Sequence, residues 1–193
     1  MKPIRHPVLG LSPTKRGLVF AGSFVLSLVL WYALKTLDIP LQTPSARWGI
    51  VSLQFAHTVE RSREIIDSWN LVARDNAQSG LLLDFIFPLC YSTALTIGCF
   101  WAASLFRERG FRKTGWAAFI IAWAQWPAAA FDYVENIALW IQVRGSIVDP
   151  WPEVAYVCAS MKFLLSGLGV ATLLGAVVIW ALRRRARLAV PPV

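Results

Sequence analysis

Cysteine and histidine are scarce in this chain: Cys90, Cys99, Cys158, His6 and His57 are all there is in 193 residues. No CxxC pair occurs, and two histidines are too few for a ligand cluster. Neither a metal nor any other cofactor is therefore expected. The cysteines fall inside apolar runs, where small buried residues belong. No Gly-rich phosphate loop and no Ser/His/Asp arrangement is present, which removes the usual signatures of nucleotide and acyl-transfer chemistry. Acids are the minority charge, 11 against 19 basic residues, for a formal net charge of +8. In a soluble chain that balance would point to nucleic acid. Here the basic residues gather at the ends of apolar runs, so they read as orientation signals and contacts to anionic headgroups. Nucleic acid is not an expected partner.

What is abundant is apolar surface. Hydrophobic residues make up 56% of the chain, with ten tryptophans, and the mean hydropathy is positive. Lipid, not water, is the expected solvent. Four runs are each at least about 20 residues, the length a helix needs to cross the hydrocarbon. They cover roughly 17–37, 80–106, 115–142 and 151–182. The expected fold is all-α: a four-helix transmembrane bundle over 17–182, between basic tails at 1–16 and 183–193. The first run follows basic residues but lacks a small-residue cleavage site and ends in Trp31-Tyr32-Ala33-Leu34-Lys35, so it reads as an uncleaved anchor.

Basic residues set the orientation. Lys2, Arg5, Lys15 and Arg16 precede the first run. Arg107, Arg109, Arg112 and Lys113 separate the second from the third, and Arg183, Arg184, Arg185 and Arg187 follow the fourth. The third loop has only Arg144, opposed by Asp149 and Glu153. Both termini and the middle loop are thus expected in the cytoplasm, with the protein in a bacterial cytoplasmic (inner) membrane. The long first loop repeats Trp48, Val51, Phe55, Val59, Ile66, Trp69 and Ala73 at helical spacing, with charges opposite. That pattern predicts an amphipathic interfacial helix over about 45–76. His57 falls on its polar face and reads as a solvated residue. Pro88 and Pro127 lie inside runs, predicting kinks whose freed carbonyls need partners in the bundle.

Five polar residues sit within these apolar runs: Asp84, Asp132, Glu135, Asn136 and Lys162. An ionised side chain at bilayer depth costs roughly 2.5–3.5 kcal/mol on insertion scales, so it belongs where it pairs or lines a cavity. At about 1.5 Å per residue, Asp84 lies about 6 Å from the outer end of its run, Glu135 about 10 Å, and Asp132 and Lys162 about 15 Å. Three helices thus place their charges in the outer half of the bilayer. Asp84, Pro88 and Tyr91 share one helical face, as do Asp132, Glu135 and Asn136. Lys162 lies on a small-residue stripe with Ala155, Cys158, Ala159, Ser166 and Gly169, which should face a neighbour. The lysine is expected to neutralise one acid, most naturally Asp132, leaving Glu135 and Asp84 uncompensated.

Leu83-Asp84-Phe85-Ile86-Phe87-Pro88-Leu89-Cys90-Tyr91-Ser92 and Asp132-Tyr133-Val134-Glu135-Asn136 resemble two motifs of a bacterial family of small four-helix membrane proteins, and the resemblance extends from about Arg61 onward. It implies an architecture and candidate positions, and no reaction. The sequence leads to a membrane protein that binds or helps to move a lipid-like or cationic amphiphile at Asp84, Tyr91, Asp132, Glu135, Asn136 and Lys162. Its expected partners are membrane lipids, that small amphiphile and, for translocation, further copies of the chain. Two alternatives stand beside this: an intramembrane lipid-modifying enzyme with Glu135 or Asp84 as proton donor or acceptor, and a structural subunit whose charges pair only with one another.

Overall fold

The computed structural model describes residues 7–188, with side chains as far as Leu182. The tail residues Lys2 and Arg5 and the side chains of Arg183, Arg184, Arg185 and Arg187 lie outside the described part. All regular structure among the described residues is helical. Helix α1 spans Pro13–Asp38, α2 Ile50–Gln54, α3 Val59–Asp67, α4 Leu71–Asp84, α5 Phe87–Glu108, α6 Arg112–Val143 and α7 Trp151–Leu188.

Local chemistry sets these boundaries. Ser12 caps α1 by accepting from the Lys15 N–H, with Pro13 at the first turn. Thr58 and Asn70 cap α3 and α4 in the same way, accepting from Arg61 and Ala73. Helix α2 is capped from a distance. Asp38 is buried, and its Oδ1 accepts from the Ile50 N–H at 2.7 Å. Gly49 precedes α2 at φ 58°, and a Cβ there would run into the Asp38 carboxylate, so only glycine fits.

The sequence stretch 45–76 is therefore not one interfacial helix. It folds into α2, α3 and the first part of α4, which pack on the end of the bundle where α6 finishes and α7 begins. Leu41, Leu53, Ile65, Ile66, Trp69 and Leu81 form a core there with Leu139 and Ala155. Each large side chain buried this way stabilises by roughly 2 kcal/mol. The Trp69 indole N–H donates to the Leu41 carbonyl at 2.9 Å. The charges stay outside: Arg61 pairs with Glu64 at 2.6 Å. That bond, with the Ser45 hydroxyl, holds the Glu64 carboxyl below the usual range. His57 stands in the turn between α2 and α3 at φ 66°, exposed, with its ring 4.6 Å from that of Tyr156.

Helices α5, α6 and α7 pack mutually, and α1 lies along α5 and α4. The buried face of α6 runs Gly115, Ala118, Ala122, Gln125, Ala129, Asp132, Asn136, Leu139 and Val143. That is an unbroken alternation of three- and four-residue steps, the seam geometry of coiled coils. Its small residues allow close approach, and side-chain-to-backbone bonds cross it. Thr96 donates to the Ala122 carbonyl at 3.2 Å, and Gln125 to the Leu165 carbonyl at 3.0 Å.

Three helical segments are long and apolar enough to cross a membrane: Pro13–Leu41, Phe87–Glu108 and Trp151–Leu182. Helix α6, 32 residues long, is not in that group, because Gln125, Asp132, Glu135 and Asn136 lower its hydropathy. The outward surfaces of α1 and α7 are apolar, with Leu18, Val25, Leu28, Leu168, Leu174 and Val177 all exposed. Water-facing monomers rarely carry so much contiguous apolar surface.

The run 80–106 is likewise not one helix. The chain turns at Phe85 and Ile86, and α5 starts anew at Phe87 with Pro88 in its first turn. Pro88 has no N–H, so it cannot bond the carbonyl of Asp84 four residues earlier. Phe85 and Ile86 both keep right-handed helical dihedrals, φ −65° and ψ −18° and φ −91° and ψ −32°, so the expected kink at Pro88 is a two-residue interruption of the helix. Pro127, by contrast, stays inside a continuous α6.

Candidate functional site

The polar residues of α4, α5, α6 and α7 converge. Lys162, 7% exposed, points from α7 at α6. Its Nζ lies 2.6 Å from Asp132 Oδ1 and donates to Glu135 Oε1 at 3.0 Å. Glu135 Oε2 is 2.9 Å from the same nitrogen, without the angle of a hydrogen bond. The expectation that Lys162 takes one acid is thus corrected: it bridges two. Both acids sit on consecutive turns of one helix face, so an ammonium between them reaches each.

Asp84 lines the same cleft as Asp132 and Lys162. It has no ion-pair partner of its own among the described residues. Asn136 Nδ2 donates to the Asp84 backbone carbonyl at 3.4 Å. That carbonyl is the one left unpaired by Pro88, so the helix break and the asparagine answer one another. The Tyr91 hydroxyl is buried beside Asp132, near Asp84 and Glu135, without a hydrogen bond of good geometry.

A cleft of about 520 Å³ runs past this cluster, a volume suited to a small-molecule ligand. Its walls come from α1, α2, α4, α5, α6 and α7, and they are mainly apolar. Asp84, Tyr91, Asp132 and Lys162 face it, whereas Glu135 and Asn136 do not. Those two are fully buried behind the wall. They position Lys162 and the end of α4 and do not touch a ligand in the cleft. On one side of the cluster the lining is Phe20, Phe24, Ala94, Leu95, Val170 and Leu173. From Lys162 to Leu173 this apolar reach extends about 16 Å along α7. On the other side it meets Lys35, Asp38, Gln54 and Asn76. Helix α1 has no extensive packing against α7, so the cleft lies between these two helices, whose outer surfaces are apolar.

Sequence reasoning missed several of these residues. Gln54 and Asn76 lie in the segment read as an interfacial helix, and only their fold turns them into the cleft. Gln125 was findable: it stands seven residues before Asp132 on the same buried stripe. His57 is no part of the cleft wall, and no cluster of three or more potential metal ligands occurs among the described residues. No family model, curated protein or solved structure matches this chain.

Proposed function

We propose that the chain is a multi-pass protein of a bacterial cytoplasmic membrane, spanning it with α1, α5, α6 and α7, and that its cleft binds a lipid-like or cationic amphiphile. Helix α6 joins the three apolar helices in this reading because it packs between α5 and α7 and matches their length. Arg107, Arg109, Arg112 and Lys113 around the α5–α6 turn, with Lys15 and Arg16 in the first turn of α1, put that end in the cytoplasm by the positive-inside rule. The polar cluster then lies in the outer half of the bilayer. The motifs around Asp84 and Asp132 fit a family of small four-helix membrane proteins, and three of their polar residues line the cleft.

One observation carries the reading. The cleft is apolar along its length, yet Asp84, Asp132 and Tyr91 face it around a single lysine already shared by two acids. Such a wall favours a cation with an apolar tail. Ion pairing within the protein takes up Asp132, Glu135 and Lys162 and leaves the Asp84 carboxyl without a cation of its own among the described residues. An enzymatic role for Glu135 loses ground, because it sits behind the wall and holds Lys162. Moving an amphiphile across the bilayer would need more wall than four helices supply, and so would go with self-association.

The test is equilibrium binding to the purified protein in neutral detergent, read by tryptophan fluorescence, since Trp31 lines the cleft. Dodecyltrimethylammonium should bind and dodecyl sulfate should not. Asp84→Asn should weaken the cation by about tenfold or more, the worth of a charge-assisted contact. Equal binding of both detergents, or no effect of Asp84→Asn, refutes the proposal.

A further inference from the structure

Six of the side chains that line the cleft are aromatic: Phe20, Phe24 and Trp31 from α1, Phe87 and Tyr91 from α5, and Phe163 from α7. Leucine alone would make an apolar wall. A ring adds something that leucine lacks, because its face carries the negative part of a quadrupole and attracts a cation. The protein's own ammonium uses such a face. Lys162 Nζ lies over the Phe163 ring, 5.2 Å from the centroid.

Other rings stand beside the acid that has no ion pair. The Phe87 and Tyr91 rings are 5.2 Å apart and inclined at 53°, so they form a corner and not a flat stack. Both follow Asp84 in the chain and line the cleft with it. Trp31 reaches the same level from α1. The Trp69 indole donates to the Leu41 carbonyl, and a Cβ at Gly80 would lie 3.9 Å from that of Leu37, so α1 and α4 run in opposite directions. Counting back from Leu37 and forward from Gly80 sets Asp84 opposite Ala33, and Trp31 is about 3 Å further along the axis.

This surround suits one kind of cation. A primary ammonium has three N–H donors, each of which needs an acceptor when it leaves water. Asp132 already takes the Lys162 ammonium at 2.6 Å, and the Asp84 backbone carbonyl takes the Asn136 amide. A quaternary ammonium has no N–H to satisfy. Its methyl groups pack on ring faces, and one carboxylate balances its charge. Resting on the binding reading above, we infer that the cationic group of the ligand is a quaternary ammonium, held against the Trp31, Phe87 and Tyr91 rings with Asp84 as its counter-charge.

Two probes of one chain length test this in the same fluorescence assay at neutral pH, where both are charged: dodecyltrimethylammonium and dodecylammonium. The quaternary probe should bind about tenfold more tightly, the worth of desolvated cation–π contacts. Phe87→Leu and Tyr91→Leu should each cut that preference to about threefold or less, whereas Tyr91→Phe keeps the ring and should retain it. Dodecylammonium binding as tightly as the quaternary probe to the parent protein overturns the inference and leaves the cation site standing; this comparison needs no variant to fold. A preference that survives both leucine variants overturns it too, as does one that Tyr91→Phe abolishes. If neither probe binds, the binding reading itself falls.

Discussion

Removing the Lys162 ammonium is the sharpest test of the charge cluster. Lys162→Met keeps the length of the side chain and deletes the charge. Asp132 and Glu135, both buried and both within 3.0 Å of Nζ, are then left facing one another without a cation. Removing one partner from a buried charge network costs about 3–5 kcal/mol. For a chain of this size each kcal/mol moves the thermal midpoint by about 2–4 °C, so the low end of that cost predicts a fall of about 6–12 °C. Circular dichroism in detergent micelles measures it. Adding Asp132→Asn should recover only part of the loss, because Glu135 keeps its charge. The triple variant Lys162→Met, Asp132→Asn, Glu135→Gln should return to within a few degrees of the parent. A double variant as stable as the triple would mean that Glu135 takes no share of the lysine. A Lys162→Met midpoint within about 2 °C of the parent would mean that the cluster is not desolvated at all.

Three further outcomes follow from the same geometry. A hydrophobic carbodiimide reaching the cleft should form an N-acylurea on Asp84, found by peptide mass spectrometry, and not on Asp132 or Glu135, which Lys162 covers; modification of Glu135 in place of Asp84 would invert the assignment of the wall. Gly169→Ala should cost about 1–2 kcal/mol, because its Cβ would stand 2.8 Å from Gln125 Nε2 and push it off the Leu165 carbonyl. Gly22→Ala, with nothing within 4 Å, should be neutral or stabilise by up to about 1 kcal/mol, and unfolding midpoints compare the two. Asp38→Ala should loosen α2 by about 1–2 kcal/mol through loss of its cap, and trypsin should then cut faster at the exposed Arg47; an unchanged cutting rate would show that Gly49 and its neighbours hold the turn unaided.

Much of this arrangement was legible in the sequence because period and chemistry agreed. Asp132 and Asn136 are four apart, and Lys162 lies among Ala155, Cys158, Ala159 and Gly169; those spacings alone turn the side chains inward. The kink at Pro88 was legible from the proline; its extent, an interruption at Phe85 and Ile86, was not. A proline within an apolar run fits either a kinked helix or the first turn of a new one, and the choice depends on whether a distant amide takes the freed carbonyl. The cap was misread for a related reason. Trp48, Val51, Phe55, Val59, Ile66, Trp69 and Ala73 do repeat at helical spacing, but Gly49, Asn70 and the capping hydroxyl of Thr58 interrupt the backbone between them. The sharing of Lys162 between two acids was missed because charge counting pairs groups one to one. An ammonium carries three N–H donors and bridges two carboxylates when both sit on one face.

The joint between α4 and α5 explains why the two polar motifs occur in one chain and marks where that explanation stops. Pro88 cannot bond the Asp84 carbonyl, the chain turns, and Asn136 on α6 donates to that carbonyl. The same α6 face carries Asp132 and Glu135, which fix Lys162 on α7. A single stretch of α6 therefore holds the start of α5, the end of α4 and the middle of α7 in register, and an apolar residue at position 136 would leave a backbone carbonyl stranded. Folding thus accounts for Pro88, Asn136, Lys162 and the acids that hold it. It supplies no ion pair for the carboxyl at position 84 among the described residues, and the backbone carbonyl that Asn136 takes would be there with any amino acid. The Asp84 carboxyl lines the cleft without a cation of the protein paired to it among the described residues, and a cation bound in the cleft is the arrangement that balances its charge.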